Sequence, residues 1–282
     1  MSEVKPLTIP PVFKQHINEF DNAGQLLTQL QTEFISRLST KKQLSEADKV
    51  ICLIMNRVCK TCSAISFLLS FRFTESSQAL LRHLVETVIV ANWLTIRDTP
   101  LRLEQFQDKE TVLAYKRLET LKRYLEKQYS KKKTRMNKSR LKEVTSEVVK
   151  QNPIAIAIVS KYQTKIEKVS FFNCKICPSV NQMVEDSKFK LPHITQFWIS
   201  GQYIHFSISS LESNFKYEGE ILDFGTQPNW KLLPNITTST TFFMLEFARI
   251  FNAYFKTKMG RIIVKQRAKF NQFVNLQNKK SK

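Results

Sequence analysis

Apolar residues recur at three- and four-residue spacing along most of the chain, a period that fits α-helix and little else. Phe13, Ile17, Phe20, Leu27, Leu30, Phe34 and Leu38 follow it and place one amphipathic helix at the start. Thr40-Lys41-Lys42-Gln43 breaks the pattern. Ser45 with Asp48 then reads as an N-cap and a first-turn acid, opening a second helix through Phe71. That helix is apolar nearly all round, which places it centrally. A third runs from Thr74-Glu75 to about Arg97, with Leu81, Leu84, Val85, Val88, Ile89, Trp93 and Leu94 over most of its circumference, as inside a bundle. A fourth spans about Leu103 to Tyr129, with Phe106, Leu113, Leu118, Leu121 and Leu125 inward.

Downstream the pattern is more broken. Ser130 to Asn137 is a basic break, and a helix follows from Ser139 to about Val149, which Pro153 ends or kinks. Ile154 to Val159 suits strand or helix. Pro178 fits the first position of a short helix reaching Glu185, and another helix covers about Pro192 to Leu211. Between Asn214 and Pro234, Phe215, Tyr217, Gly219, Gly225, Pro228 and Trp230 suggest an irregular or hairpin-like excursion. A long helix returns over about Thr237 to Lys258, Gly260 punctuates it, and a basic amphipathic helix runs on to about Leu276, with Lys279 to Lys282 frayed. Only 5 glycines serve 282 residues, too few for an all-β fold with many tight turns. The expected fold is all-α: a multi-helix bundle over 1–258, with a short insertion near 214–234, and a basic tail helix over 259–282.

The net charge is +20, and two segments carry nearly all of it. Leu121 to Lys142 holds ten Lys/Arg against one acid, Glu126, while Lys256 to Lys282 holds nine and no acid. Localised charge of this kind is expected where a polyanion docks. The residues placed on phosphates are Lys122, Arg123, Lys131, Lys132, Lys133, Arg135, Arg261, Lys265, Arg267 and Lys269. Tyr124, Tyr129, Phe270 and Phe273 lie among them as rings that could stack on unpaired bases. In this reading the two stretches converge on one cationic surface and the partner is RNA or DNA. A solvated surface, an acidic protein partner and an anionic membrane drawn to Ile262, Ile263 and Val264 are the rivals.

No secretory signal precedes the first helix. The longest apolar stretch, Ile51 to Phe71, is interrupted by Asn56, Arg57 and Lys60, so it reads as a helix buried in a soluble protein. The five cysteines, an odd number, point to reduced thiols in the cytoplasm. Cys59-Lys60-Thr61-Cys62 and Cys174-Lys175-Ile176-Cys177 repeat the spacing of zinc knuckles and redox dithiols. The first lies inside a helix, where such knuckles rarely sit, and the two are far apart in sequence. No metal or other cofactor is therefore expected. No phosphate-binding loop, dinucleotide motif or hydrolase elbow occurs.

Two polar constellations stand out. Arg82 and Glu86 lie one turn apart on the most apolar helix, and burying either charge alone would cost several kcal/mol, so they must pair with each other or with a neighbour. Gly201 and His205 share a face of a later helix, where the glycine allows close approach by a neighbour. Arg82, Glu86 and His205 are the candidate catalytic set, or else a structural polar centre. Were His205 to meet Glu86, the carboxylate would raise its pKa and orient the ring.

The order of three segments resembles a known family. Ala79-Leu80-Leu81-Arg82-His83-Leu84-Val85-Glu86 is followed by Cys177-Pro178-Ser179-Val180, then by Phe197-Trp198-Ile199-Ser200 leading to Tyr203-Ile204-His205-Phe206-Ser207. Over about Leu38 to Leu211 the chain resembles the bacterial family called domain of unknown function 5677. That resemblance implies a helical fold with an Arg-x-x-x-Glu helix, a Pro-Ser turn and a Ser…His helix, and no particular activity. A weaker resemblance is to the HEPN superfamily of helical nucleotide-binding proteins and ribonucleases found in phage defence and toxin systems. Those ribonucleases place a His four to six residues after an Arg. Here His83 directly follows Arg82, and neither His193 nor His205 has an Arg in the preceding turns.

The leading expectation is a nucleic-acid-associated protein, in phage defence or a stress or toxin system by resemblance alone. The first alternative is an enzyme in which His205 acts as acid or base while Arg82 steadies a phosphate-like anion. The second is a non-catalytic subunit that docks an acidic partner.

Overall fold

Three fully buried phenylalanines, Phe243, Phe247 and Phe251, mark the centre of one core. The computed structural model describes residues 11–38, 43–71, 73–132, 134–170, 175–185, 189–196, 215–218, 221–224 and 230–280. Helices α1 (Lys14–Leu38), α2 (Glu46–Ser70), α3 (Thr74–Thr95), α4 (Thr99–Lys131), α5 (Arg135–Lys161) and α6 (Val180–Val184) come first. A helical run over 190–196, α7, precedes two short strands, β1 (Phe215–Glu218) and β2 (Ile221–Phe224). Helices α8 (Leu233–Phe255) and α9 (Gly260–Lys280) close the chain. The strands pair antiparallel, Phe215 opposite Phe224 and Glu218 opposite Ile221. The fold is an all-α multi-helix bundle carrying one hairpin in the expected insertion.

The chain divides into two compact units. The first joins Met1–Thr95 to Asp186–Lys282, and the second is Ile96–Glu185. The α4–α5 excursion forms its own core, and the tail helix packs within the first unit against α8 and α1.

In the first unit α8 touches α1, α2, α3 and α9. Phe243, Phe247 and Phe251 are fully buried on it. Phe34 of α1 meets Phe251 edge-on at 4.9 Å and lies 4.3 Å from Phe255. Each such ring contributes about 1.5–3 kcal/mol through burial. The central helix is therefore α8, where apolar composition pointed to α2. Ile51, Met55, Val58, Cys62 and Ile65 of α2 are buried, but Leu53 (67 % exposed) and Phe67 (62 % exposed) face outward. By length and composition alone α2 could cross a bilayer; here its inner face packs on α3. Ser45 and Asp48 form a reciprocal capping box at its start, as the sequence suggests.

The second unit is a helical hairpin, α4 against α5, closed by a 3₁₀ turn (Ile166–Lys168) and α6. Val112, Leu113, Val159, Val169 and Ile176 form one core cluster, and Tyr115, Val148 and Ala155 form another. Helix α5 continues through Pro153 to Lys161, so of the two expectations there, an end or a kink, the end is corrected. A mid-helix proline costs about 3 kcal/mol. Burial of Val148, Ala155 and Val159 against α4 outweighs that cost, and the same packing settles Ile154–Val159 as helix. Lys116 Nζ donates to the carbonyls of Val169 (2.7 Å) and Glu167 (3.3 Å), tying the closing turn to α4. Lys161 Nζ lies 2.6 Å from Glu104 and 2.9 Å from Asp108, joining the ends of the two helices. Ser179 caps α6 reciprocally with Gln182, so Pro178 precedes the cap and does not occupy the first turn.

Candidate functional site

The basic end of the α4–α5 hairpin is a consequence of its turn. Helix α4 ends at Lys131, α5 begins at Arg135 and the two pack on each other, so the last turns of α4 and the first turns of α5 lie side by side. Eight of the ten Lys/Arg between Leu121 and Lys142 have described side chains, and these eight are thereby gathered on one helical end. Arg123 is exposed, as are Lys127, Lys131, Lys132, Lys138, Arg140 and Lys142, while Lys122 is half-buried. Lys122 lies 3.7 Å from Glu126 and Arg123 lies 3.6 Å from Glu119, each one turn away. Exposed pairs of this kind are worth about 0.3–0.5 kcal/mol, so they leave the cations available. The others just named have no carboxylate partner among the described residues. Lys133 and the Arg135 side chain lie outside the described residues.

The second basic stretch, α9, divides by face. Ile263, Phe270 and Phe273 are buried, and Arg261, Lys265 and Lys269 form an exposed stripe at four-residue spacing. Phe270 and Phe273 are therefore core residues and cannot stack on bases. Phe273 instead meets the His16 ring edge-on at 4.9 Å. Arg267 points the other way: its Nη2 donates to Oε1 of Glu246 at 2.5 Å, and Arg249 Nε donates to Oε2 at 2.9 Å. Glu246 is only 1 % exposed, so two guanidiniums stabilise its buried charge and Arg267 does a structural task. The α4–α5 cations belong to the second unit and the α9 stripe to the first.

Within the first unit, α3, α7 and α8 build a polar centre. Arg82 Nε donates to Glu86 Oε1 at 3.0 Å, and both side chains are largely covered, at 16 % and 24 % exposure. The expected pairing along α3 therefore forms. His193 on α7 is 3 % exposed. Burial lowers its pKa, Glu86 raises it and Arg82 lowers it, so the neutral imidazole is favoured beside that pair. Gln78 Nε2 donates to Gln196 Oε1 at 3.0 Å, and Gln196 Nε2 donates to Asn235 Oδ1 at 2.9 Å and Ser239 Oγ at 2.6 Å. Ser239 Oγ in turn donates to Asn235 Oδ1 at 3.2 Å. A chain of polar side chains thus links α3, α7 and α8.

His205 and Gly201 lie outside the described residues, as does the expected Pro192–Leu211 helix beyond Gln196. Among the described residues His193 feels both Arg82 and Glu86, and sequence reasoning set it aside. The signal for it was spacing: Phe189, His193 and Gln196 recur at four and three residues and are all buried, while Leu191 and Ile194 face solvent. This helix turns its polar residues inward. Arg57 Nε donates to His83 Nε2 at 2.7 Å, which fixes the neutral tautomer with its proton on Nδ1. Burial lowers the His83 pKa, and Arg57 lowers it further.

Among the described residues the cysteines form no ligand set. Cys59 and Cys62 lie along α2 and line a groove of ≈ 980 Å³ with Phe20, Gly24, Thr28 and Phe67. Burial raises the pKa of both thiols, and that of Cys52 to about 11. No group of three or more His, Cys, Asp or Glu that could hold a metal occurs among the described residues. Cys174 lies outside them.

No curated protein and no solved structure matches the chain. The model of a family described as "Family of unknown function (DUF5677)" matches residues 48–221. That span takes in Arg82, Glu86, His193 and the whole α4–α5 hairpin, and leaves out α8 and α9. The chain belongs to the DUF5677 family of unknown function.

Proposed function

We propose that the protein binds nucleic acid through the basic end of the α4–α5 hairpin. The observation that carries this reading is the gathering of eight described Lys/Arg side chains between Leu121 and Lys142 at the end of one helical hairpin, seven of them exposed and two paired. Cations held on rigid helices neutralise successive phosphates and release their counterions, which makes affinity salt-dependent. The exposed stripe of Arg261, Lys265 and Lys269 supplies a second phosphate-facing surface on the first unit. A place in a bacterial defence or stress response belongs to the same proposal by resemblance, and a cytoplasmic location by the odd number of cysteines. The test is binding of the full chain to labelled RNA and DNA at low salt, with polyglutamate as competitor. Binding that polyglutamate displaces only at large excess supports the reading. Failure to bind either nucleic acid at low salt removes it, and preference for polyglutamate favours an acidic protein partner.

One observation favours a second reading, an enzyme acting on a phosphate-bearing substrate. His193, kept neutral by burial, senses both Glu86 and Arg82, so a base and an anion-stabilising guanidinium belong to one centre. The cover over all three favours a structural role, which is why binding leads. Cleavage of RNA or DNA by the wild type that His193→Asn and Glu86→Gln both abolish would promote the enzyme.

A further inference from the structure

A hollow beside the basic hairpin end adds a requirement that phosphate binding alone does not explain. Leu113, Lys116, Arg117, Thr120, Leu121 and Tyr124 line a space of ≈ 580 Å³ on one face of α4. These residues recur at three- and four-residue spacing, so they form a strip along the helix. The lining is chiefly apolar, yet Tyr124 is 58 % exposed and Leu121 43 % exposed. An exposed ring beside a dense cationic cluster offers a planar face on which an unpaired base can stack while the cations hold its phosphates.

We propose that this hollow seats an unpaired nucleobase stacked on Tyr124, so that the ligand is single-stranded nucleic acid. The inference rests on the nucleic-acid reading and deepens it. Arg117 is exposed, has no partner among the described residues and stands at the rim where the base's phosphate would lie. Lys116 is held by two backbone carbonyls at the opposite side of the strip, which fixes that wall. From Arg117 to Lys131 the strip rises about 21 Å along α4. Lys127 and Lys131 continue it toward the hairpin end, giving a strand a cationic track that leads out of the hollow. A duplex keeps its bases stacked inside and would present only phosphates, leaving Leu121 and Tyr124 uncovered. Stacking on an aromatic ring tolerates any base, so no sequence preference is implied.

The test compares a fluorescent 12-nucleotide oligo(U) strand with a duplex RNA of equal length, both titrated with the full chain at one salt concentration. Single strand binds at least tenfold more tightly than duplex. Tyr124→Ala weakens single-strand binding fivefold or more and leaves duplex binding unchanged, while Tyr124→Phe retains wild-type affinity. The position is exposed, so circular dichroism of Tyr124→Ala matches the wild type. Equal affinity for both ligands, unmoved by Tyr124→Ala, overturns the stacking hollow and leaves the phosphate-binding reading standing. Binding to neither ligand overturns both.

Discussion

Arg267, drawn from the most basic stretch of the chain, donates to the buried carboxylate of Glu246 at 2.5 Å. Its neighbour in sequence, Lys265, faces solvent. The two cations should therefore separate in experiment. Arg267→Ala leaves Glu246 with less compensation and lowers stability by about 2–3 kcal/mol in urea unfolding. Lys265→Ala changes stability by no more than about 0.5 kcal/mol and weakens nucleic-acid affinity. Equal stability losses for both would contradict the assignment.

Three histidines make the fold sensitive to acid. Burial lowers the pKa of His16, His83 and His193 from the ordinary 6.5. The unfolded chain then takes up protons before the folded one does, so stability rises with pH across that interval. It is complete above about pH 6.5 and is lost as pH falls through the depressed folded values. Melting temperature measured between pH 7.5 and 5.5 should fall, and His193→Asn should flatten the slope. A wild-type melting temperature independent of pH across this window would contradict the neutral buried state.

Pro153 sits inside α5 without ending it. Replacing it restores a backbone donor and removes a ring that crowds the preceding turn. Pro153→Ala should raise stability by about 1–3 kcal/mol, read by chemical denaturation. A loss of stability would mean that the proline's local geometry is built into the α4–α5 packing.

The thiols of α2 should be quiet. Burial raises the pKa of Cys52, Cys59 and Cys62, and the thiolate is the reactive form. Labelling with a thiol reagent at pH 8, mapped by peptide mass, should leave all three largely unmodified in the folded chain and modify them in denaturant. Rapid labelling of Cys62 in the native state would show that the α1–α2 groove opens further.

Local signals were well legible in the sequence. The Ser45–Asp48 box, the helical period of α1 to α4 and the pairing of Arg82 with Glu86 all depend on residues three or four apart, which a helix brings together by geometry, although Leu121, expected inward on α4, is exposed. What depended on distant packing was hidden. Pro153 reads as a stop because the partner face that holds α5 together belongs to α4. Phe270 and Phe273 read as available rings because the sequence does not reveal which face of α9 meets its neighbours. Arg267 reads as a phosphate ligand because Glu246 lies on another helix. His193 escaped notice because α7 buries its polar face and exposes Leu191 and Ile194, against the usual amphipathic rule.

The most direct measurement is the salt dependence of RNA affinity for the wild type and a variant with Lys131, Lys132, Lys138 and Arg140 all changed to Glu. Each phosphate contact contributes about −0.7 to the slope of log affinity against log salt for single strands. Loss of four contacts should flatten the slope by about 3 and abolish binding near physiological salt, with the circular dichroism spectrum unchanged. A variant that binds with the wild-type affinity and slope would show that the basic end of the hairpin does not hold nucleic acid.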